Sequence, residues 1–256
     1  MYRLKRTAFS KISVSLMLTL GVVLMIISAF YGSSFSAIFG TVMILWGAIL
    51  LYVTPVRHVP LALLDASANG NTNNIERILS QFNLSEKGVY LPPKNLKNPK
   101  SSLIFVPKAS EAFLPLTEEI TEKVYSEQKE GAFLTPPGLG LSQLFEKGLN
   151  MSFTEIAFKH LQLVLPKTLV EDLELAENVE IYREEDIVTI EITGSVLNGI
   201  CEQTNSQPRT HAQVGCLLAS ALACVLAKAT GKPISIRNET VDQKTKITKI
   251  DYNIME

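Results

Sequence analysis

The sequence predicts an α+β fold: an N-terminal transmembrane helical hairpin followed by a soluble domain in which an antiparallel sheet packs against helices. Three observations carry this. Residues 12–56 hold no charged side chain. Beyond them, short runs of apolar and polar residues come in pairs around turn-forming residues, the pattern of hairpins. Between two such pairs lies residues 212–227, built mainly from Ala, Leu, Val, Cys and Gly without a charge, the pattern of a helix laid tightly against a sheet.

The charge-free stretch is cut once, at Tyr31-Gly32-Ser33-Ser34, into spans of residues 12–30 and 35–53. A helix of about 20 apolar residues crosses the hydrocarbon of a bilayer, and lipid leaves helices as the only way for a single span to satisfy its backbone. A cleaved signal peptide fits less well, because Ala29-Phe30-Tyr31 is too bulky for a cleavage site and a second span follows at once. Arg3, Lys5, Arg6 and Lys11 precede the hairpin and Arg57 follows it, while the connecting turn is uncharged. These five cations are the expected membrane-interface residues, and they place the N-terminus and the C-terminal domain on the cytoplasmic side of a multi-pass cell-membrane protein. Each cation near anionic headgroups contributes on the order of 1 kcal/mol. Gly21, Gly32, Gly40 and Gly47 match no dimer motif and read as ordinary membrane-helix composition in an intramolecular hairpin.

The domain plan is a basic arm at 1–11, the hairpin at 12–54, and a soluble domain whose N-terminal part spans 61–150 and whose α+β core spans 151–256. Formal net charge is −1, and the basic arm is topology chemistry, so no nucleic-acid partner is expected. The expected partners are the lipid bilayer and a protein partner or a second copy of the chain.

Within the soluble part, Ile75, Ile78, Leu79 and Phe82 recur at helical spacing and predict a helix over 73–82. Runs 88–91 and 103–106 predict a β-hairpin, separated by Pro92-Pro93 and a basic loop at 94–100 whose Lys94, Lys97 and Lys100 suit anionic lipid. Residues 124–134 read as β-like, broken at 127–130. Thr135-Pro136-Pro137-Gly138-Leu139-Gly140 then punctuates the chain before a helix starting near Ser142. From Ser152, the residues Phe153, Ile156, Ala157, Leu161, Val164 and Leu165 form one helical face, with Ser152 and Glu155 as a capping box and Pro166 as a stop or kink. Val179–Tyr182 and Ile187–Ile192 flank Glu184-Glu185-Asp186 as a strand pair with a solvated turn. Lys228, Gly231 and Pro233 end the buried helix, and runs 234–238 and 247–254 close the chain as a hairpin.

Candidate chemistry is sparse. Cys201, Cys216, Cys224 and His211 are the one set that resembles a reactive group, since a thiolate needs a nearby base. His211 is placed to approach Cys201. The cysteines lack paired spacing such as Cys-x-x-Cys, so no metal and no cofactor is expected. Inside an apolar helix, Cys216 and Cys224 read as small hydrophobes, and no catalytic residue is assigned. Gly138-Leu139-Gly140 ahead of a helix invites a phosphate-loop reading but lacks the remaining fingerprint residues. His160, beside Ile156 and Val164, reads as a histidine at the core edge. The acidic groups around Glu171 and Glu184 read as solvated surface.

Two resemblances follow from these residues. Lys87-Gly88-Val89-Tyr90-Leu91-Pro92-Pro93, Ile104-Phe105-Val106-Pro107, and Thr135-Pro136-Pro137-Gly138 with Leu144-Phe145-Glu146 resemble a family of uncharacterised archaeal membrane proteins. That resemblance implies an N-terminal hydrophobic hairpin before a soluble domain. The C-terminal third, with the small-residue helix over 215–222, Gly231-Lys232-Pro233-Ile234 and a closing strand through Tyr252 and Ile254, is similar to vinyl-reductase-type domains and related vesicle-tethering subunits. It implies an α+β module used for assembly or small-molecule sensing, mostly without catalysis. Where that group has a cysteine-and-acid run near its end, this chain has Asp242-Gln243-Lys244.

The function expected from these observations is a membrane-anchored cytosolic module, not an enzyme, for protein interaction, scaffolding or small-ligand sensing. Cys216, Leu217 and Ser220 are the expected ligand-binding residues, lining a pocket under the 212–227 helix. The alternative is a membrane-associated enzyme using the Cys201 and His211 pair or a nucleotide site at 138–142.

Overall fold

The N-terminal part of the chain forms two helices, α1 (Arg3–Tyr31) and α2 (Ser34–Tyr52), in the computed structural model. The structure describes residues 3–52, 61–95, 102–109, 125–126, 130–199, 201, 207–242 and 244–255; of residues 3–14, 50–52, 61–69, 95 and 125–126 it describes the backbone alone. Gly32, at φ 64°, makes the turn between the helices, a left-handed conformation that glycine adopts without penalty. α1 begins inside the basic arm, so Arg3, Lys5, Arg6 and Lys11 belong to the helix, whereas Arg57 and His58 lie outside the described residues.

Gly21, Gly40 and Gly47 sit where the two helices touch. A Cβ on Gly21 would fall 2.8 Å from Ile44 Cγ1, and one on Gly40 would fall 2.9 Å from Met25 Cγ. Large apolar side chains point outward instead: Phe30, Phe35, Ile38 and Trp46 are 84, 80, 64 and 57% exposed.

Residues Met1–Val59 and Pro60–Glu256 are separate compact units. Among the described residues, one helical stretch, Pro208–Thr230, has the length and composition to cross a membrane, and it is mostly buried inside the second unit. The apolar parts of the hairpin helices, Ser15–Tyr31 and Ser34–Ile49, are shorter.

The second unit opens with α3 (Leu61–Gln81), which starts well before the expected 73–82 because residues 61–69 are rich in the helix formers Leu and Ala. Among the described residues, eight strands then build a single sheet: β1 (Val89–Leu91), β2 (Leu103–Pro107), β3 (Tyr125–Ser126), β4 (Gly131–Leu134), β5 (Asn178–Glu184), β6 (Ile187–Thr193), β7 (Ile234–Asp242) and β8 (Ile247–Ile254). Their order is β3-β4-β2-β1-β7-β8-β6-β5, and every neighbouring pair is antiparallel. The parts expected at 61–150 and 151–256 therefore share one sheet, joined where β1 pairs with β7 through Val89↔Ser235 and Tyr90↔Ile234. The expected strand pairs at 88–106, 179–192 and 234–254 all form. Val188, Ile190 and Ile192 are buried as their alternation requires, and Glu184, Glu185 and Asp186 are exposed. Most of the loop carrying Lys97 and Lys100 lies outside the described residues.

Four helical expectations are corrected. α4 (Leu139–Leu149) starts at Leu139 with Gly138 as its N-cap, so Gly140 is helical. The single helix expected from Ser152 is instead a short 3-10 turn, Phe153–Glu155, then extended backbone, then α5 (Phe158–Lys167). The capping box does not form: the Ser152 hydroxyl donates to Glu146 Oε1 (3.3 Å), which also accepts the Phe153 amide (3.1 Å). Pro166 stays inside α5, and the chain widens into a π-helical turn, Thr168–Asp172, closed by the Leu173 amide on the Thr168 carbonyl (2.9 Å). Such a wider turn accommodates a backbone that proline has deprived of a donor. His160 is exposed and not at a core edge, because Ile156 lies outside the helix and Leu161 and Leu165 define its buried side.

The fourth correction concerns the apolar stretch at 212–227, which is two helices, α6 (Pro208–Val214) and α7 (Leu217–Thr230), parted at Gly215 and Cys216. Residues 218–228 of α7 are all buried, which explains why its sequence shows no polar stripe. Gly231 ends it in the left-handed conformation, as its position predicts.

Burial around α7 makes the fold sensitive to alkali. The Cys224 thiol is pushed up from 9.0 to about 12, first by burial and against the pull of the Lys228 cation and the Ser102 and Ser142 hydroxyls. Burial likewise raises Tyr90 and Tyr252 well above 10.0. These groups ionise in the unfolded chain before they ionise in the folded one. Stability is therefore full below about pH 9 and falls as pH rises toward 12, by up to about 1.4 kcal/mol per pH unit per group. Urea midpoints of the 60–256 fragment should hold constant to about pH 8.5 and then drop, and Cys224→Ala should soften the first part of that drop. A flat profile to about pH 11 would contradict this assignment.

Candidate functional site

The break between α6 and α7 is fixed from several sides. At the N-terminus of α6, Glu76 of α3 accepts the Thr210 amide and hydroxyl, both at 2.7 Å. At the other end, the Gln213 side-chain amide donates to the Leu84 carbonyl (2.8 Å), and the Gln213 backbone carbonyl accepts the Gly88 amide (2.7 Å). Gly215 then takes φ 80° and ψ 175°, and a Cβ there would lie 2.6 Å from Ile236 Cδ1. Stopping α6 leaves the Val214 carbonyl without its helical partner, a cost unless another donor is found. The buried Tyr90 hydroxyl of β1 donates to it at 2.6 Å, and Tyr252 of β8 donates to the Ala219 carbonyl at 3.0 Å.

Cys216, completely buried, is the N-cap of α7, its sulfur accepting the Ala219 amide at 3.4 Å. Cys201 lies in the helical turn after Leu197, whose carbonyl accepts its amide at 3.1 Å. Its Sγ is 2.7 Å from Cys216 Sγ. Both residues are free cysteines. Burial, then the neighbouring Cys201 and the Glu239 charge, push the Cys216 thiol well above its ordinary value.

The third member comes from β7. A β-bulge between Ile236 and Asn238 shifts the pairing so that Glu239 stands opposite Ile250, on the buried face, while Asn238 and Thr240 are exposed. Glu239 Oε2 accepts the Cys216 amide at 3.3 Å and lies 3.6 Å from His211 Nε2. Its side chain is 4% exposed, and Oε1 finds no hydrogen-bond partner among the described residues. One ligand atom from each of Cys201, Cys216 and Glu239 lies within 4.8 Å of the others.

The structure thus brings together Cys201, Cys216 and His211 from the expected reactive set and adds Glu239, which the sequence analysis missed. Cys224 is buried elsewhere on α7, near Ser102 and Ser142. Of the expected ligand-binding residues, Cys216 joins this cluster, Leu217 is half-buried against the core, and Ser220 is buried with its hydroxyl accepting the Gly138 amide at 3.1 Å. That same amide is the one a phosphate at the Gly138 turn would need, and Gly138 is buried against α7.

A family model described as Domain of unknown function (DUF7982) matches residues 1–252. The chain belongs to the DUF7982 family. No curated protein and no solved structure matches it. The DUF7982 match takes in the hairpin, every described helix of the second unit and all four residues of the cluster, and it ends within β8.

Proposed function

We propose that this DUF7982 chain is a membrane-anchored module of the cytoplasmic face that works without catalysis, in protein interaction, scaffolding or small-ligand sensing. The observation that carries the proposal is the inside-out hairpin, with glycines at the helix contact and large apolar side chains outward. Lipid is the solvent in which that arrangement costs nothing. The basic residues Arg3, Lys5, Arg6, Lys11 and Arg57 and the uncharged Gly32 turn support a cytoplasmic C-terminal domain by the positive-inside rule. Anchoring raises the module's effective concentration at the membrane, where a partner or ligand is met. The similarity to uncharacterised archaeal membrane proteins and, in the C-terminal third, to vinyl-reductase-type domains points the same way.

Alkaline carbonate washing of membranes from expressing cells, with protease applied to inverted vesicles and to intact spheroplasts, tests this. The full chain should stay in the pellet and lose its C-terminal domain only in inverted vesicles. The 60–256 fragment should be released. Release of the full chain by carbonate would remove the anchor, and cleavage in spheroplasts would reverse the orientation.

A further inference from the structure

We propose that Cys201, Cys216 and Glu239, completed by His211, form a binding site for a zinc-type divalent cation that ties the α6–α7 break to the bulge of β7. The inference goes beyond the membrane anchor and stands without it.

Three features point to a cation. Two sulfurs, a carboxylate and an imidazole are the donor types of a tetrahedral zinc site. Cys201, Cys216 and Glu239 offer ligand atoms within 4.8 Å of one another, and His211 Nε2 lies 3.6 Å from Glu239 Oε2. The Glu239 carboxylate is buried with Oε1 unpartnered, although a buried charge needs a partner.

A thiol pair or a disulfide leaves Glu239 Oε1 without a partner, because His211 and the Cys216 amide both meet Oε2. A divalent cation accounts for all the groups at once. It would bind both thiolates and Glu239 Oε1, leaving Oε2 on the Cys216 amide, with the two thiol protons released to solvent. With zinc–sulfur bonds of about 2.3 Å, the two sulfurs would stand roughly 3.8 Å apart, so loading opens the present contact by about 1 Å. The Cys216 thiolate would keep the Ala219 amide at the positive end of α7. His211, with a side chain 26% exposed, gives the site its contact with solvent and its fourth ligand.

The test is cobalt substitution of the full-length protein in detergent, after treatment with a reductant and a chelator. One equivalent of Co(II) should bind, with thiolate-to-cobalt charge-transfer absorption and the intense visible bands of a tetrahedral site, and Zn(II) should displace it. Cys201→Ser and Cys216→Ser should each weaken binding at least tenfold and lower the charge-transfer intensity. Glu239→Gln should weaken it about tenfold with that intensity kept. Cys224→Ser should change neither. The wild-type spectrum decides the matter even if a variant fails to fold. Absent charge transfer, or an unchanged Cys201→Ser titration, overturns the proposal. So does alkylation of the unreduced protein that finds Cys201 and Cys216 joined in a disulfide.

Discussion

Glu146→Ala is expected to destabilise the C-terminal domain by about 3 kcal/mol, near the lower end of what stranding a buried charge costs. Glu146 Oε2 pairs with Lys228 Nζ at 2.9 Å, and the lysine side chain is only 3% exposed near the end of an otherwise apolar helix. Removing the carboxylate leaves that cation buried without a partner. It also strips the Phe153 amide and the Ser152 hydroxyl of their acceptor. Urea unfolding of the 60–256 fragment measures the loss. Adding Lys228→Met to the variant should recover most of it, because an apolar side chain of similar length removes the stranded charge. If the single variant loses less than about 1 kcal/mol, the pair is worth no more than a surface ion pair.

Gly138→Ala should cost about as much, around 3 kcal/mol, by a different route. A Cβ at Gly138 would lie 2.1 Å from the Ala221 amide nitrogen and 2.6 Å from the Leu217 carbonyl oxygen, both backbone atoms that cannot swing away. Its φ of −83° suits any residue, so the penalty is crowding and not backbone strain. Either the turn or α7 must move, and the Gly138–Ser220 hydrogen bond goes with it. Gly140→Ala is the contrasting variant, since nothing lies within 4 Å of its Cβ and it sits inside α4. It should stabilise the domain by up to about 1 kcal/mol. Comparable losses at both glycines would mean that Gly138 is not held against α7 as described.

Gly138 and Gly140 also show where legibility ended. Both were visible as turn residues before a helix, and both suggested a phosphate loop. What separates them is contact with α7, which is remote in sequence and carries no local signal. The strand pairs, by contrast, were legible because each buries one face, and alternation such as Val188, Ile190 and Ile192 reports that face directly. The helices were less so. Ser152 and Glu155 have the letters of a capping box, but the Ser152 hydroxyl donates instead to Glu146, a residue outside the local pattern.

The candidate site divides in the same way. The cysteines and His211 stood out by chemistry alone, and the buried nature of residues 212–227 by composition. Glu239 did not, because alternation from Ile234 and Ile236 assigns Asn238 and Thr240 to the buried face. A one-residue bulge reverses that parity and turns the carboxylate inward. By itself the sequence determined the helical hairpin, the α+β class and the strand pairs, since all of these follow from periodicity and charge within a few neighbouring residues. Only the tertiary structure decided where α6 stops, which way Glu239 faces and that Cys201 meets Cys216. Each of those depends on a clash, a hydrogen bond or a register shift between segments that the chain order keeps apart.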